Sequence, residues 1–351
     1  MYYSVMNNLS ERFDKLARKF PMDASDKYTF MKWQEEARLK LRDIIKLDNM
    51  EKCQLEPKRI EECESGEGIV RQKILVSVEK DVYMPMYILI PDGCRNNKNA
   101  RVMIAMSGHL GGGMAAVVGM RDNELVKGAI EKFNYDYGIQ LAKQGIVAVC
   151  PETRGFGERR EAAKQTPEAI LECSCYHISH MAYSLGLTLM GMQVFDVMRV
   201  VDYVIERDEW NVNNLGILGF SGGGLQALYT AALDERIKNI IVSGYMYGYK
   251  EALFEKNGNC NCNYVDGLWQ NFDMGDIGAM LAPRPVIFQS GDEDHLNGKS
   301  GLSNVYSQID IVREAYRVLD KEKRVWHDVC NGPHKWYSDN LPEYLDFFEK
   351  T

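Results

Sequence analysis

The stretch LGILGFSGGG, residues 215–224, decides the fold, because it passes from an apolar strand into a helix through a turn rich in glycine. Within it, Gly219, Ser221 and Gly223 form the pattern G-x-S-x-G. A serine hydroxyl can be raised at a sharp strand-to-helix turn only where the positions two before and two after it lack side chains. The amide of Gly222, at the start of the helix, can then help to stabilise an oxyanion. The stretch predicts Ser221 as a nucleophile, against the alternative of a glycine-rich turn with an incidental serine.

Short apolar stretches alternate with helical ones along most of the chain. The predicted strands are residues 69–78, 82–90, 101–106, 145–150, 215–220, 240–243, 285–289 and 323–329, and the predicted helices between them are 134–143, 189–207, 222–233 and 304–319. This alternation predicts an α/β fold in which helices flank a mostly parallel, twisted sheet. Ligands bind beyond the carboxyl ends of the strands in such sheets, so chemistry is expected just after each strand.

A serine hydroxyl needs a neighbouring imidazole to take its proton. Three histidines follow Ser221 along the chain, namely His295, His327 and His334. His327 falls inside the last predicted strand, where a packed or edge histidine is expected. His334 lies in the turn NGPHKW, residues 331–336, just past the carboxyl end of that strand. His334 is therefore the predicted general base, the alternative being a histidine on a surface loop.

The imidazole needs a carboxylate that fixes its tautomer and stabilises the imidazolium. The strand at 285–289 runs into SGDEDH, residues 290–295, where three carboxylates compete. Asp294 is favoured, because the turn at Ser290-Gly291 needs some further residues before a side chain can point back at the crevice. Asp292 is the alternative. The order serine, aspartate, histidine along the chain is that of the α/β-hydrolase arrangement.

The strand at 101–106 ends in SGHLGGG, residues 107–113, and such a glycine-rich loop can present bare amides to a developing oxyanion. The amides near His109 and Leu110 are the candidates, together with that of Gly222. A phosphate-cradling loop is the alternative. It is disfavoured because neither G-x-x-x-x-G-K-[ST] nor a dinucleotide-binding G-x-G-x-x-G with its acidic partner is present.

With these residues in view, the chain resembles the α/β-hydrolase superfamily and, within it, the acetyl xylan esterase-like and dienelactone-hydrolase-like branch. The resemblance covers roughly residues 70–350 and rests on PETRGFGE (151–158), MGMQVFD (190–196), GFSGGG (219–224), DIGAMLAPRP (276–285), GDED (291–294) and GPH (332–334). It implies a catalytic triad of Ser221, Asp294 and His334, and hydrolysis of carboxylic esters without a cofactor. Many members carry His-Gly at the oxyanion loop, whereas this chain has Ser107-Gly108-His109, which leaves the second amide donor open.

The chain divides into an N-terminal helical extension, residues 1–68, and an α/β-hydrolase domain, residues 69–351. Amphipathic patterns predict helices at 8–20 and 27–48, and a polar connector follows at 50–68. These helices are too polar for a membrane anchor, so we expect them to dock on the domain or on a second copy of the chain as a homo-oligomer.

Two segments, about 155–188 and 245–275, fit the strand–helix alternation poorly and are expected to form lid or pocket-wall insertions. They hold two C-x-C pairs, Cys173/Cys175 and Cys260/Cys262. One interpretation is a zinc site, and the other is that the thiols merely line the pocket wall. The usual zinc ligand knuckle is C-x₂₋₄-C, so the spacing favours the pocket wall and no metal.

Several side chains in or near these insertions and the histidine turn are candidates for binding substrate. Imidazoles can contact a ligand, and aromatic faces stack on sugar rings or aryl groups, although lid packing is the alternative. The candidates are His177, His180, Tyr264, Trp269 and Trp336.

Composition excludes several classes of protein. The 351 residues include 42 Lys or Arg and 50 Asp or Glu, which gives a net charge of −8 and disfavours binding to nucleic acids or anionic membrane surfaces. No apolar run approaches the roughly 18–20 residues of a membrane span, and the first residues, MYYSVMNNLS, lack the layout of a signal peptide. We therefore expect a cytoplasmic protein whose nine cysteines are free thiols.

These observations predict a serine hydrolase that cleaves carboxylic esters through an acyl-enzyme. A polymer substrate does not suit a cytoplasmic protein, so a small-molecule or oligosaccharide ester is expected, with acetyl favoured. A carbon–carbon bond hydrolase or an acyltransferase would use the same triad. A peptidase of the prolyl-oligopeptidase kind would also use it, but the chain has no length for a propeller domain. A catalytically dead binding protein is the alternative from another class.

Overall fold

The structure, a computed structural model that describes residues 3–256 and 258–351, contains one nine-stranded sheet within those residues. Its strands run in the order β1-β2-β3-β5-β4-β6-β7-β8-β9. They are β1 (Lys58–Glu64), β2 (Ile69–Glu79), β3 (Val82–Pro91), β4 (Val102–Met106), β5 (Val147–Pro151), β6 (Gly216–Phe220), β7 (Asn239–Ser243), β8 (Val286–Gly291) and β9 (Val325–Cys330).

The direction of the strands divides the sheet in two. The first three strands form an antiparallel meander, and β3 also pairs antiparallel with β5. From β5 to β9 all neighbours are parallel. The prediction of a mostly parallel sheet is therefore confirmed, and the carboxyl ends of β4, β6, β8 and β9 meet at one edge.

Helices cover both faces of this sheet. They are α1 (Met6–Leu16), α2 (Lys27–Ile44), α3 (Met114–Val117), α4 (Glu124–Phe133), α5 (Tyr137–Lys143), α6 (Cys175–Ser184), α7 (Leu189–Arg207), α8 (Gly222–Leu233), α9 (Leu268–Asn271), α10 (Met274–Ala279), α11 (Leu302–Arg317) and α12 (Leu341–Lys350). One face packs against α2, α7, α8, α10 and α11, and the other against α3, α4, α5 and α12. Alternate residues of a strand point to opposite faces, so Ile104 of β4 joins the first core and Met103 the second.

One expectation about the connector at 50–68 is wrong, because residues 58–64 form β1 on the edge of the sheet. All seven residues of β1 are exposed, so the strand carries no alternation of apolar and polar side chains that could have predicted it. It pairs with β2 through the backbone and through polar side chains, such as Gln72, whose amide donates to Glu62 at 2.7 Å.

The second N-terminal helix is part of the main core. Phe30, Trp33, Ala37 and Leu41 recur at helical spacing and are buried together with α7, α8 and the sheet. Asp26 caps the helix by accepting hydrogen bonds from the amides of the first turn, Tyr28 and Thr29.

The chain between α1 and α2 is bound to the second insertion. The amides of Arg18, Lys19 and Phe20 donate to the carbonyls of residues 269–271 at 2.9, 2.7 and 3.0 Å. The Arg18 guanidinium also forms a two-pronged ion pair with the fully buried carboxylate of Asp276, at 2.9 and 3.0 Å. The N-terminal extension thus braces one wall of the molecule.

Among the described residues, no single helix is long and apolar enough to span a membrane. The bent pair α6 and α7 passes by length and composition alone, with 103° between the two helices.

Candidate active site

The turn between β6 and α8 places Ser221 at the edge of the sheet. Its backbone has φ +56° and ψ −120°, which a residue with a side chain rarely adopts. A Cβ on Gly219 would lie 2.0 Å from the carbonyl oxygen of Gly223, and one on Gly223 would lie 2.1 Å from that of Met106. Both glycines are therefore required by close backbone packing, as the pattern predicts.

His334 and Asp294 meet at the ends of β9 and β8. The Nδ1 of His334 lies 2.6 Å from Asp294 Oδ2, and both side chains are almost buried, with exposed fractions of 9% and 2%. The rival imidazole, His295, lies 3.8 Å from the other oxygen of Asp294. The contact distance therefore favours His334 as the partner of Asp294.

The alternative carboxylate, Asp292, faces elsewhere. Its Oδ1 accepts a hydrogen bond of 2.7 Å from the amide of Gly332, so it braces the turn that carries His334.

His327 lies on the edge strand β9 beside Ser290, with Nε2 to Oγ at 3.2 Å. Burial lowers the pKa of His327 to about 4, which agrees with a packed edge histidine.

A cavity of about 660 Å³ opens where these residues meet, and both Ser221 and His334 line it. The ring of Phe220 packs 4.5 Å from that of His334 and sets its orientation. No hydrogen bond joins the hydroxyl of Ser221 to His334, although both residues belong to the described part of the chain. Hydrogen bonds of this kind are often formed only once substrate is bound.

The predicted oxyanion loop borders the same cavity. Leu110 lines it with a backbone at φ +61°, and a Cβ built on Gly222 would lie 3.4 Å from the amide nitrogen of His109. The hydroxyl of Tyr135 donates to the carbonyl of His109 and so fixes this loop from below. The backbone of His109 therefore lies beside Gly222, and the choice between the amides of His109 and Leu110 stays a prediction.

Two of the expected substrate contacts, Trp336 and Trp269, do not line the Ser221 cavity. Trp336 is fully buried, and its Nε1 donates to Gln140 at 2.8 Å in the core beneath the sheet edge. Trp269 packs among the rings of Phe13, Tyr249 and Phe254, away from the cavity. Aromatic side chains in these loops fill gaps between packed elements. The position of a residue in a loop does not indicate whether its side chain packs in this way or lines a cavity.

The remaining three candidates also lie outside the Ser221 cavity. His177 and His180 are exposed on α6, where Nδ1 of His180 lies 2.6 Å from the carbonyl of Tyr176. Tyr264 lines a separate cavity of about 500 Å³ between α6 and the second insertion. The residues that line the Ser221 cavity, and that the sequence did not predict there, include Lys132, Tyr135, Tyr176, Asn259 and His295.

The two insertions meet at a group of thiols beside the oxyanion loop. A ring nitrogen of His109 and the Sγ atoms of Cys173, Cys175 and Cys260 all lie within 4.8 Å of one another. Cys262 Sγ lies 3.6 Å from Nε2 of the same histidine. Hydrogen bonding by the thiols of Cys173, Cys175 and Cys262 lowers the pKa of Cys260.

The chain is similar to known proteins in sequence and in fold. A protein of Bacillus subtilis (strain 168), YtaP, which carries a provisional description as a hydrolase, is 26% identical over 205 residues. That match spans 56% of this chain and 65% of the relative, which is less than two thirds of its length.

Solved structures resemble the whole fold. BF1801 of Bacteroides fragilis NCTC 9343, provisionally described as an acetyl xylan esterase, superposes with a TM-score of 0.76 at 20% identity, over 98% of this chain and 85% of that one. The glucuronoyl esterase from Solibacter usitatus gives a TM-score of 0.65 at 16% identity, over 95% and 96%. At these identities the likeness establishes an α/β-hydrolase fold.

A family model describes nearly the entire sequence. It is that of the Abhydrolase family, and it matches residues 3–348. The chain therefore belongs to the Abhydrolase family.

Proposed function

We propose that the protein is a serine esterase that hydrolyses carboxylic esters through Ser221, His334 and Asp294. The observation that carries this proposal is the 2.6 Å contact between His334 and Asp294 at the wall of the cavity into which Ser221 opens. A buried carboxylate on one imidazole nitrogen leaves the other nitrogen as a proton acceptor, which is the arrangement that activates a serine hydroxyl.

In the proposed reaction, Ser221 Oγ attacks the carbonyl carbon of the ester while Nε2 of His334 takes the hydroxyl proton. The carboxylate of Asp294 accepts a hydrogen bond from Nδ1 and stabilises the imidazolium that forms. The carbonyl oxygen becomes an oxyanion and receives hydrogen bonds from the amide of Gly222 and from that of His109 or Leu110. The N-terminus of α8 adds a favourable partial charge at the same place.

The tetrahedral intermediate then collapses. The bond to the alcohol breaks, His334 returns the proton to the departing oxygen, and an acyl-Ser221 ester remains. Water attacks this ester while His334 takes one of its protons. The bond between the acyl carbon and Ser221 Oγ then breaks, His334 returns the proton to Oγ, and the free acid is released. Every proton moves between substrate, water, Ser221 and His334, so the cycle needs no cofactor.

For the substrate we propose a small acyl ester, with acetyl favoured, on a polar alcohol such as a sugar. A cavity of about 660 Å³ is of ligand size, and Lys132, Tyr176 and Asn259 give its wall polar and aromatic groups suited to hydroxyls and sugar rings. The similar Bacteroides and Solibacter proteins are described as an acetyl xylan esterase and a glucuronoyl esterase, which supports esters of carbohydrates as substrates.

The test is covalent labelling with a fluorophosphonate together with hydrolysis of a panel of esters. The panel holds aryl acetate, butyrate and octanoate, acetylated xylo-oligosaccharides and methyl glucuronate. We expect Ser221→Ala to lose labelling and to lower kcat by about 10³-fold or more. The matched control is Ser307→Ala, an exposed serine on α11, which should behave as wild type.

Normal turnover by Ser221→Ala would contradict the mechanism. Intact labelling of the wild type without hydrolysis of any ester would instead direct attention to the rival chemistries. These are cleavage of β-diketones by a carbon–carbon bond hydrolase, transfer of the acyl group to an added alcohol, and peptide cleavage. Product analysis by mass spectrometry separates all three from ester hydrolysis.

A further inference from the structure

We propose that His109, Cys173, Cys175 and Cys260 together bind a soft divalent cation of the zinc type at the wall of the Ser221 cavity. The four residues come from three distant parts of the chain, namely the oxyanion loop and both insertions. The site would fasten these three parts together beside the nucleophile.

The spacing of the donor atoms suits a tetrahedral cation. All four ligand atoms lie within 4.8 Å of one another. Zinc–sulfur and zinc–nitrogen bonds of about 2.3 and 2.0 Å place tetrahedral ligands roughly 3.5–3.8 Å apart. To complete the shell, the donor atoms therefore need to draw together by about 1 Å at most.

The donor set selects the class of metal. Three thiolates and one imidazole are soft donors that suit zinc and disfavour magnesium and calcium, which prefer oxygen. Cys175 is buried and the other three residues are half-buried, and four protein ligands would leave no open position on a tetrahedral cation, as in structural zinc centres. Cys262 lies beside this set and could shield it.

The C-x-C spacing argues against a metal at the level of sequence. That argument applies where two cysteines of one short loop, a zinc knuckle, bind the metal together. Here each insertion supplies only part of the shell and the oxyanion loop supplies the rest, so ordinary knuckle spacing is not required. The fold, and not the local spacing, brings the ligands together.

The link to the oxyanion loop passes through His109. Its backbone lies against Gly222, the hydroxyl of Tyr135 holds its carbonyl, and Phe156 packs 4.7 Å from its ring. A cation bound to a ring nitrogen would hold the imidazole as well. The cation is thus assigned a structural role and touches no reacting atom.

The experiment measures bound metal, which does not depend on ester turnover. The full-length protein is purified in reductant, stripped with a chelator, and titrated with Zn²⁺ against a colorimetric competitor. Metal content is then read by mass spectrometry. We expect about one zinc per chain, a thiolate-to-metal absorption band when Co²⁺ replaces zinc, and a lower Tm for the stripped protein that zinc restores.

Variants assign the ligands. Cys173→Ser and Cys260→Ser should each weaken zinc binding at least tenfold, whereas the distant, exposed Cys63→Ser should bind as wild type. Ser221→Ala should also bind zinc normally, so failure of this proposal and failure of the esterase proposal are distinguishable.

The stripped wild type is measured without any substitution, so zinc binding is still tested where a variant fails to fold. Absence of zinc binding by the reduced wild type would overturn the proposal. A disulfide between Cys173 and Cys260 in the protein purified without reductant, or equal affinity in all variants, would overturn it as well.

Discussion

Two aspartates, two positions apart, hold His334 in different ways. Asp294 contacts the imidazole itself, whereas Asp292 contacts the amide of Gly332 in the preceding turn. We expect Asp294→Asn to lower kcat about 10²–10⁴-fold, because an amide cannot stabilise the imidazolium. Asp292→Asn should cause a clearly smaller loss, since it removes one support of the turn.

Steady-state kinetics on an aryl acetate checks this difference, with circular dichroism to show that both variants are folded. Equal losses in the two variants, or a larger loss for Asp292→Asn, would contradict the assignment of the acid.

His327 makes the free energy of unfolding depend on pH. Burial lowers its pKa from 6.5 to about 4 in the folded protein. Between these values the unfolded chain takes up a proton that the folded protein does not, so stability falls as the pH drops from 6.5 towards 4. We expect His327→Gln to remove on the order of 1–2 kcal/mol of this pH dependence.

Urea denaturation at several pH values measures the effect. At pH 7.5 the histidine is neutral in both states, so a comparison there isolates any cost of the substitution itself. An unchanged slope between pH 6.5 and 4 in the variant would show that other groups cause the dependence.

At the residue level, the sequence predicts the position of some side chains near the site and not of others. Asp294 and His334 could be placed because both follow parallel strands, and the carboxyl ends of such strands meet at one edge. Trp336 could not be placed, although it stands two residues after His334. The chain turns inward there and buries the indole against Gln140, and no local pattern encodes that turn.

The turn between β6 and α8 can take its shape because Gly219 and Gly223 have no side chains. A Cβ on Gly219 would meet the carbonyl oxygen of Gly223 at 2.0 Å, so we expect Gly219→Ala to destabilise the fold by about 2 kcal/mol or more. Gly128 on the exposed side of α4 has nothing within 4 Å of its Cβ position, so Gly128→Ala should stabilise by about 0.5–1 kcal/mol.

Chemical denaturation of the two variants gives both free energies. The signs should be opposite. A destabilisation of similar size in both would mean that loss of glycine, and not the close contact at the turn, determines the cost.

Elements with strong local signals are predicted well. The buried parallel strands are apolar runs, and α7 and α8 have the predicted bounds. The helix predicted at 134–143 is α5, which begins three residues later, at Tyr137, and α4 (Glu124–Phe133) was not predicted. The exposed strand β1 and the short helices have no periodic apolar face, so their existence depends on neighbours far along the chain.

At the scale of the whole molecule, Arg18 joins the N-terminal extension to the α/β domain. Its partner Asp276 has no exposed side-chain surface and also accepts from the amides of Met22 and Asp273. We expect Arg18→Ala to cost about 1–3 kcal/mol, because it leaves a buried carboxylate with fewer partners. Lys32→Ala, which breaks only an exposed pair with Glu36, should cost less than about 0.5 kcal/mol.

Thermal and urea unfolding of both variants measures these costs. A loss of less than about 0.5 kcal/mol in Arg18→Ala would show that the extension is held by its apolar contacts alone.

The backbone seam between residues 18–20 and 269–271 has a consequence for protein engineering. A chimera that takes the second insertion from a relative would also take the backbone carbonyls at 269–271. In the relative, these carbonyls would be positioned for its own N-terminal segment. Successful grafts should therefore exchange two pieces, the N-terminal extension and the insertion, as one inherited unit. Libraries that randomise the insertion while keeping the original start of the chain should be enriched in misassembled proteins.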